Sequence, residues 1–260
     1  MSSDKLAVVT GASSGLGEVF ARKLTGKGYR LLLVARREER LRALAASLGP
    51  GREVMAADLA KDEELERVAQ RLETSGELQL LVNNAGFGTK GLFWETDYGR
   101  QQDMHKLHIK ATLRLTRAAL PGMIKRNSGA VINVSSVAAF FRSRGNASYC
   151  ATKGWMNDLT EALYLELRAV HSAVKMQALC PGFTYTEFHD TMGVSRSSVP
   201  RKMWMPADFV VNESLRALDK GKLYVIPGWR YKLLVAFGTR LPIGLRLGLQ
   251  SRSPHTKGRT

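Results

Sequence analysis

The sequence predicts an α/β fold in which one doubly wound parallel sheet of about seven strands is flanked by helices. Three observations carry that expectation. Short apolar runs alternate with longer helical patterns along almost the whole chain, as in βαβ units. A glycine-rich stretch, Gly11 to Gly17, lies between the first strand-like run and the first helix. The length of 260 residues, with 44% hydrophobic and 24% charged residues, allows one sizeable core and argues against disorder.

Each element follows from its local pattern. Leu6–Val9 is a buried-strand run, and Glu18–Lys27 has helical spacing after the glycine turn. Leu31–Val34 is the next strand and Arg36–Leu48 a charged helix. Glu53–Ala57 and Asp62–Glu73 repeat the pair, and Leu80–Val82 and Ala130–Val134 bracket a long helical region around Gly99–Arg126. A helix at Ser148–Val170, a strand at Val174–Leu179, a helix at Ala207–Leu218 and a strand at Leu223–Ile226 complete the series. No fixed-period repeat or inter-domain linker is visible. Residues 1–250 therefore read as one domain, including a basic amphipathic segment at 227–250, with 251–260 as a polar tail.

Charge is the outlier in the composition. The chain has 39 Lys+Arg against 23 Asp+Glu, a formal net charge of +16 and a pI near 10.1. Such a surplus points to nucleic acid, anionic membrane or phosphate-rich small molecules as partners. Cys150 and Cys180 are too few for a disulfide framework, and the polar start Met1–Lys5 does not read as a secretory signal. Leu233–Leu249 is the nearest approach to a spanning segment, and Arg240, Pro242 and Arg246 interrupt it. A cytoplasmic location is expected, with peripheral membrane attachment as the alternative.

Four clusters carry chemistry. Gly11, Ser13, Ser14, Gly15, Leu16 and Gly17 form a turn whose amides can approach a pyrophosphate at a helix N-terminus. About 20 residues later, where a carboxylate would bind a ribose 2′-hydroxyl, the chain has Arg36 and Arg37. Guanidinium groups there favour a 2′-phosphate and hence NADP(H); the plainer alternative is the start of a solvated helix. Asn83-Asn84-Ala85-Gly86 ends a strand. Tyr149 and Lys153 stand at i,i+4 on one helix face, where an ammonium can bring a phenol into a useful proton-transfer range.

Together these motifs resemble the classical short-chain dehydrogenase/reductase family, with a Rossmann-type sheet. The glycine spacing, Asn83–Gly86, Ser136 thirteen residues before Tyr149, and Tyr149-Cys150-Ala151-Thr152-Lys153 all match its pattern, over roughly Lys5–Pro242. Glu187-Phe188 and Gly221–Gly228 resemble a DltE-like bacterial subgroup. The resemblance implies direct hydride transfer between a nicotinamide and a ketone or aldehyde. Tyr149 would be the general acid, Ser136 would stabilise the carbonyl oxygen, and Lys153 would lower the tyrosine pKa and hold the nicotinamide ribose. Ser135 competes with Ser136 but stands one residue too far from Tyr149. Asp58 and Leu59 would lie along the adenine, with an N-cap as a compatible role for Asp58. Asn84, Ala85 and Gly86 would pack on the cofactor, and Pro181, Gly182, Thr184 and Thr186 would form a turn over its nicotinamide. The first asparagine, Asn83, would tie neighbouring strands together.

One position departs from the family. A helix asparagine that bends its helix and supports a water relay is replaced by His108, which could keep the bend, relay protons itself, or mark a weakened site. His171 and His189 read as surface or loop residues. The segment Phe188–Pro206, with Met192, Met203, Trp204 and Met205, is the expected lid, and Phe140 and Phe141 the expected pocket wall for an apolar carbonyl substrate.

After Pro227 there is no Asp or Glu, while Arg230, Lys232, Arg240 and Arg246 alternate with apolar residues. That pattern suits an anionic bilayer, or equally a final helix completing a pocket or subunit interface. The resemblance implies a homodimer or homotetramer. Nucleic-acid binding is not expected, because no recognised module accompanies the charge. Two function classes stay open: an NADP(H)-dependent carbonyl reductase or alcohol dehydrogenase, and a nucleotide-binding regulatory or membrane-peripheral protein on the same fold.

Overall fold

Strands that are apolar on both faces demand a sheet covered on both sides, and that is how the chain is arranged. The computed structural model describes residues 5–188 and 199–251. The strands are β1 (Leu6–Thr10), β2 (Arg30–Ala35), β3 (Arg52–Ala56), β4 (Leu78–Asn83), β5 (Ala130–Val134), β6 (Lys175–Leu179), β7 (Thr184–Tyr185), β8 (Met205–Pro206) and β9 (Tyr224–Val225). Seven of them pair in parallel in the order β3-β2-β1-β4-β5-β6-β9, while β7 and β8 pair with each other. This is a single Rossmann-type α/β domain.

The helices are α1 (Gly15–Gly26), α2 (Glu38–Leu48), α3 (Asp62–Glu73), α4 (Tyr98–His105), α5 (Thr112–Lys125), α6 (Ala147–Ala169), α7 (Ala207–Asp219), α8 (Trp229–Gly238) and α9 (Ile243–Ser251). Alternation along the strands divides the core in two. Ala7, Val9, Leu31 and Leu33 pack with Phe20 and Leu24 of α1, Leu41 of α2, and Val211 and Leu215 of α7. Leu6, Val8 and Leu32 turn the other way, onto Leu65 and Val68 of α3, Leu115 of α5 and Leu167 of α6.

The expected elements are therefore present, with ends shifted by a few residues. The predicted long helix of Gly99–Arg126 is α4 and α5 joined by a π-helical turn at Lys106–Ala111, which carries His108. The last helix, α9, ends at Ser251, the first residue of the expected tail; residues 252–260, like His189 and Met192 of the expected lid, lie outside the described residues. No described helix is long and apolar enough to cross a membrane.

Strand order reverses between β1 and β4. In such sheets, a crevice opens beyond the carboxyl ends of the strands at that point.

Candidate active site

Every functional cluster read from the sequence sits just beyond the C-terminal end of a strand, around one cleft of about 2100 Å³. At the nucleotide end, Gly11 and Gly15 adopt positive φ of 64° and 58°. A Cβ on Gly11 would press on Ala85, and one on Gly15 would meet Thr186 at 3.3 Å. The turn can pass this close to its neighbours only as glycine. Thr10 Oγ1 accepts from the Asn84 and Ala85 amides at 2.9 and 3.0 Å, and Asn84 Nδ2 donates to Thr10 O at 2.9 Å. Asn83 Nδ2 donates to Asn133 Oδ1 at 2.9 Å, tying β4 to β5. These bonds hold the floor of the cleft rigid between β1, β4 and β5.

Arg36 and Arg37 stand at the rim. Arg37 donates from Nη2 to Ser14 Oγ at 2.8 Å and from Nε to Ser13 Oγ at 3.2 Å, so its guanidinium is fixed against the glycine turn. Arg36 is the more exposed, with Nη1 3.9 Å from Asp58 Oδ2. A large cleft, a glycine cradle at the start of α1 and unburied guanidinium groups beside it fit a phosphate-bearing nucleotide.

The other end of the cleft is buried. Tyr149 and Lys153 emerge from α6 with 8% and 5% exposure, so the pair does not lie on a solvated helix face. Lys153 Nζ donates to Val134 O at 2.7 Å, and its ammonium stands 5.9 Å from the Tyr149 ring centroid. Burial pushes the Lys153 ammonium down to about 7. Burial pushes the Tyr149 phenol above its ordinary range, while a hydrogen bond with the Ser136 side chain pulls the other way. Desolvation outweighs that hydrogen bond and sets the direction of the shift.

Ser136, two residues beyond β5, has extended backbone, accepts from Ala138 N at 3.1 Å and donates to Pro181 O at 3.5 Å. Ser135 is committed elsewhere, donating to Lys153 O at 2.9 Å. The structure thus places Ser136, and not Ser135, beside the phenol.

The comparisons with known proteins agree with this geometry. Residues 5–195 match the model of the short chain dehydrogenase family. An uncharacterised oxidoreductase of Staphylococcus epidermidis is 36% identical over 186 residues, 70% of this chain and 79% of that protein. One from Staphylococcus aureus is 32% identical over 221 residues, covering 84% and 93%. Among solved structures, a Sphingobium yanoikuyae short-chain dehydrogenase in complex with NADPH is 32% identical, with a TM-score of 0.82 and 98% of each chain covered. A bulky-bulky ketone specific alcohol dehydrogenase from Comamonas testosteroni is 27% identical with a TM-score of 0.78, covering 98% and 97%. The chain belongs to the short-chain dehydrogenase/reductase family. It is an oxidoreductase of that family, whose members bind a nicotinamide cofactor.

Within that family frame, most expected residues line the cleft: Gly11, Ser13, Ser14, Gly15, Leu16, Arg36, Arg37, Asp58, Leu59, Asn84, Ala85, Gly86, Pro181, Gly182, Thr184 and Thr186, together with Ser136, Tyr149 and Lys153. Gly17 does not. It is buried against Gly11 O and Asn84 Nδ2, where a Cβ would overlap both, so its role is helix packing. Asp58 does not cap α3, whose N-cap position is Lys61; Asp58 Oδ1 accepts from Ala60 N at 3.1 Å in a local turn. Of the two phenylalanines after Ser136, Phe141 lines the cleft, whereas the Phe140 ring packs on Tyr224 at 6.1 Å.

His108 is fully buried, and Nδ1 lies 2.9 Å from Thr152 Oγ1. Thr152 Oγ1 already donates to Tyr149 O at 3.0 Å, so it must accept from Nδ1–H. Burial, with Lys153 nearby, holds the imidazole well below its ordinary pKa and therefore neutral. Nε2 is then a bare acceptor, without a hydrogen-bond partner among the described residues. A Cβ on Gly86 would overlap this ring, and the ring meets Tyr149 edge-on at 5.9 Å.

Three residues make contacts that the sequence reading did not assign. Tyr231 of α8 fills the space a Gly182 Cβ would need; its hydroxyl accepts from Phe183 N at 3.0 Å and donates to Met203 O at 2.7 Å. The C-terminal segment thereby pins the turn after β6, and Leu234 and Leu241 reach the cleft. Outward, Trp229, Leu233 and Phe237 of α8 and Ile243 and Leu247 of α9 are exposed. Arg40 and Glu187 are the other two: Arg40 Nη1 donates to Glu187 Oε1 at 2.9 Å, and Arg37 Nη1 to Oε2 at 3.3 Å. The Arg36-Arg37-x-x-Arg40 spacing could have flagged Arg40, since i and i+3 share a helix face.

Proposed function

We propose that this chain is an NADP(H)-dependent carbonyl reductase, interconverting an apolar ketone or aldehyde and its alcohol by direct hydride transfer. The observation that carries the reading is the convergence of Ser136, Tyr149 and Lys153 at the buried end of a cleft whose open end is rimmed by arginines. When bound, NADPH supplies the hydride.

The protein's own groups handle the oxygen and the proton. Tyr149, with its phenol pKa raised by burial, holds its proton at neutral pH and donates it to the carbonyl oxygen. The Ser136 hydroxyl donates to the same oxygen and stabilises the charge developing there. Lys153, when protonated, stabilises the phenolate left behind and donates to the ribose hydroxyls. The Gly11–Leu16 turn would hold the pyrophosphate, Arg36 and Arg37 the 2′-phosphate, and Asp58 and Leu59 the adenine. Asn84, Ala85 and Gly86 would pack on the cofactor, with Thr184 and Thr186 beside its nicotinamide. The NADPH-bound Sphingobium relative supports this cofactor choice.

An apolar substrate is supported by the side chains around Tyr149. Phe141, Phe188, Leu234 and Leu241 line the cleft, and the Phe188 ring lies 5.9 Å from the Tyr149 ring. The similar Comamonas enzyme is specific for bulky-bulky ketones. The test is NADPH oxidation against a panel of alicyclic and aryl ketones and aldehydes. Turnover in the wild type, lost in Tyr149→Phe with NADPH binding retained, is the expected result. Tight NADPH binding with no turnover across the panel would sink the reading in favour of a nucleotide-binding regulatory role.

A further inference from the structure

Beside the glycine turn, a carboxylate already occupies an anion position. Glu187 Oε1 accepts from Arg40 Nη1 at 2.9 Å, and Oε2 accepts from Arg37 Nη1 at 3.3 Å and Arg40 Nη1 at 3.1 Å. Arg37 in turn donates to both Ser13 and Ser14. A carboxylate is thus held by Arg37, which lines the cleft beside the glycine turn, and by Arg40 behind it in sequence on α2. Hydrogen bonds from Arg40 and Arg37 hold the Glu187 carboxyl below its ordinary value, so it is ionised throughout the neutral region. It reaches α2 across about 147 positions of sequence and lies one residue from Phe188, whose ring packs on Tyr149.

We propose that Glu187 is a specificity-determining residue for the nucleotide: its carboxylate occupies the anion position on Arg37 and Arg40, and a 2′-phosphate binds by displacing it. This rests on the NADP(H) reading above and adds Arg40 as a phosphate ligand. Displacement is feasible because the three side chains are about half exposed, at 44% for Arg37, 52% for Arg40 and 50% for Glu187. Exposed pairs of this kind are weak and exchange readily. A phosphate dianion, accepting from two guanidinium groups, is the stronger ligand. Glu187 therefore reduces affinity for the 2′-phosphorylated nucleotide without abolishing it. A nucleotide lacking that phosphate leaves the carboxylate in place.

The test is calorimetric binding of 2′,5′-ADP and 5′-ADP to the full chain at low ionic strength. The wild type is compared with Glu187→Gln and Arg40→Gln. Glu187→Gln is expected to tighten 2′,5′-ADP by about three- to tenfold and leave 5′-ADP within about twofold, a range set by two exposed ion pairs. Arg40→Gln is expected to weaken 2′,5′-ADP alone. Both variants alter exposed side chains, so a melting curve matching the wild type separates binding from folding. A Glu187→Gln protein with wild-type affinity for both nucleotides, or one tightening both equally, overturns the proposal. A wild type that binds the two equally instead defeats the NADP(H) reading. In that case the proposal still requires a preference for 2′,5′-ADP to emerge in Glu187→Gln, and its absence would reject both.

Discussion

The two ends of the cleft solve opposite electrostatic problems. At the nucleotide end the Arg36, Arg37 and Arg40 side chains are 68%, 44% and 52% exposed. At the reacting end Tyr149, Lys153 and His108 are 8%, 5% and 0% exposed. Exposed charges attract an anion from solution, release it readily and are screened by salt. Buried groups cannot afford a free charge, so their protonation is set by desolvation. Recognition and chemistry are thus separable, and each can be altered alone.

The largest expected break is at the buried end. Tyr149→Phe removes only a hydroxyl, and turnover should fall by about 10²- to 10⁴-fold, the usual contribution of a positioned general acid. NADPH affinity, measured by fluorescence titration, should stay within about twofold. The mirror-image break is Arg37→Glu, which puts a carboxylate beside the glycine turn. It should cost about 10- to 100-fold in NADPH affinity and leave NADH binding and saturating turnover close to the wild type. Raising ionic strength should weaken NADPH binding in the wild type without changing kcat; equal salt sensitivity of both would dissolve the contrast.

A smaller effect is expected at His108. Replacing it with Phe leaves Thr152 Oγ1 without its donor, so a loss of about 1–3 kcal/mol is expected in denaturant unfolding. His108→Asn retains a donor and should lose less, and the ratio of their kcat values reads whether the bare Nε2 contributes to turnover. Equal stability of the two variants would show that the Thr152 bond contributes nothing.

Lys153 should give a signature of another kind, in stability against pH. Its folded pKa of about 7 lies below the ordinary lysine value of about 10.4. Between those values the unfolded chain binds a proton at this position that the folded chain does not. Its contribution to stability therefore rises with pH across that window and is lost as pH falls through about 7. Lys153→Met should flatten the rise measured by thermal melts between pH 7 and 9. An unchanged slope would show that the buried amine is solvated by something else.

What the sequence made legible divides along the same line. Strands such as Leu6–Thr10 and Ala130–Val134 are buried throughout, so their apolar runs announce them. The motifs sit at strand ends, where local spacing fixes their placement. Gly17 belongs to the same motif, yet its part is to let α1 pack on the β1 turn. Spacing alone does not distinguish packing from ligand contact. Phe140 and Phe141 are adjacent in an irregular segment, so no periodicity says which one turns into the cleft.

Contacts between distant segments were invisible. Glu187 meets Arg40 across 147 positions and Tyr231 meets Phe183 across 48. The basic C-terminal segment read equally as membrane-facing or pocket-completing. Its inner face, through Tyr231 and Val235, is what joins it to the site.

The central claim is that Tyr149 delivers a proton to a carbonyl while hydride arrives from NADPH. The direct measurement is a single-turnover experiment with NADPH carrying deuterium at both C4 positions and a bulky ketone, with the alcohol product analysed by mass spectrometry. Deuterium is expected on the carbinol carbon in the wild type, and no product on the same timescale from Tyr149→Phe. Product forming at the wild-type rate in that variant, or alcohol lacking the label, would contradict it.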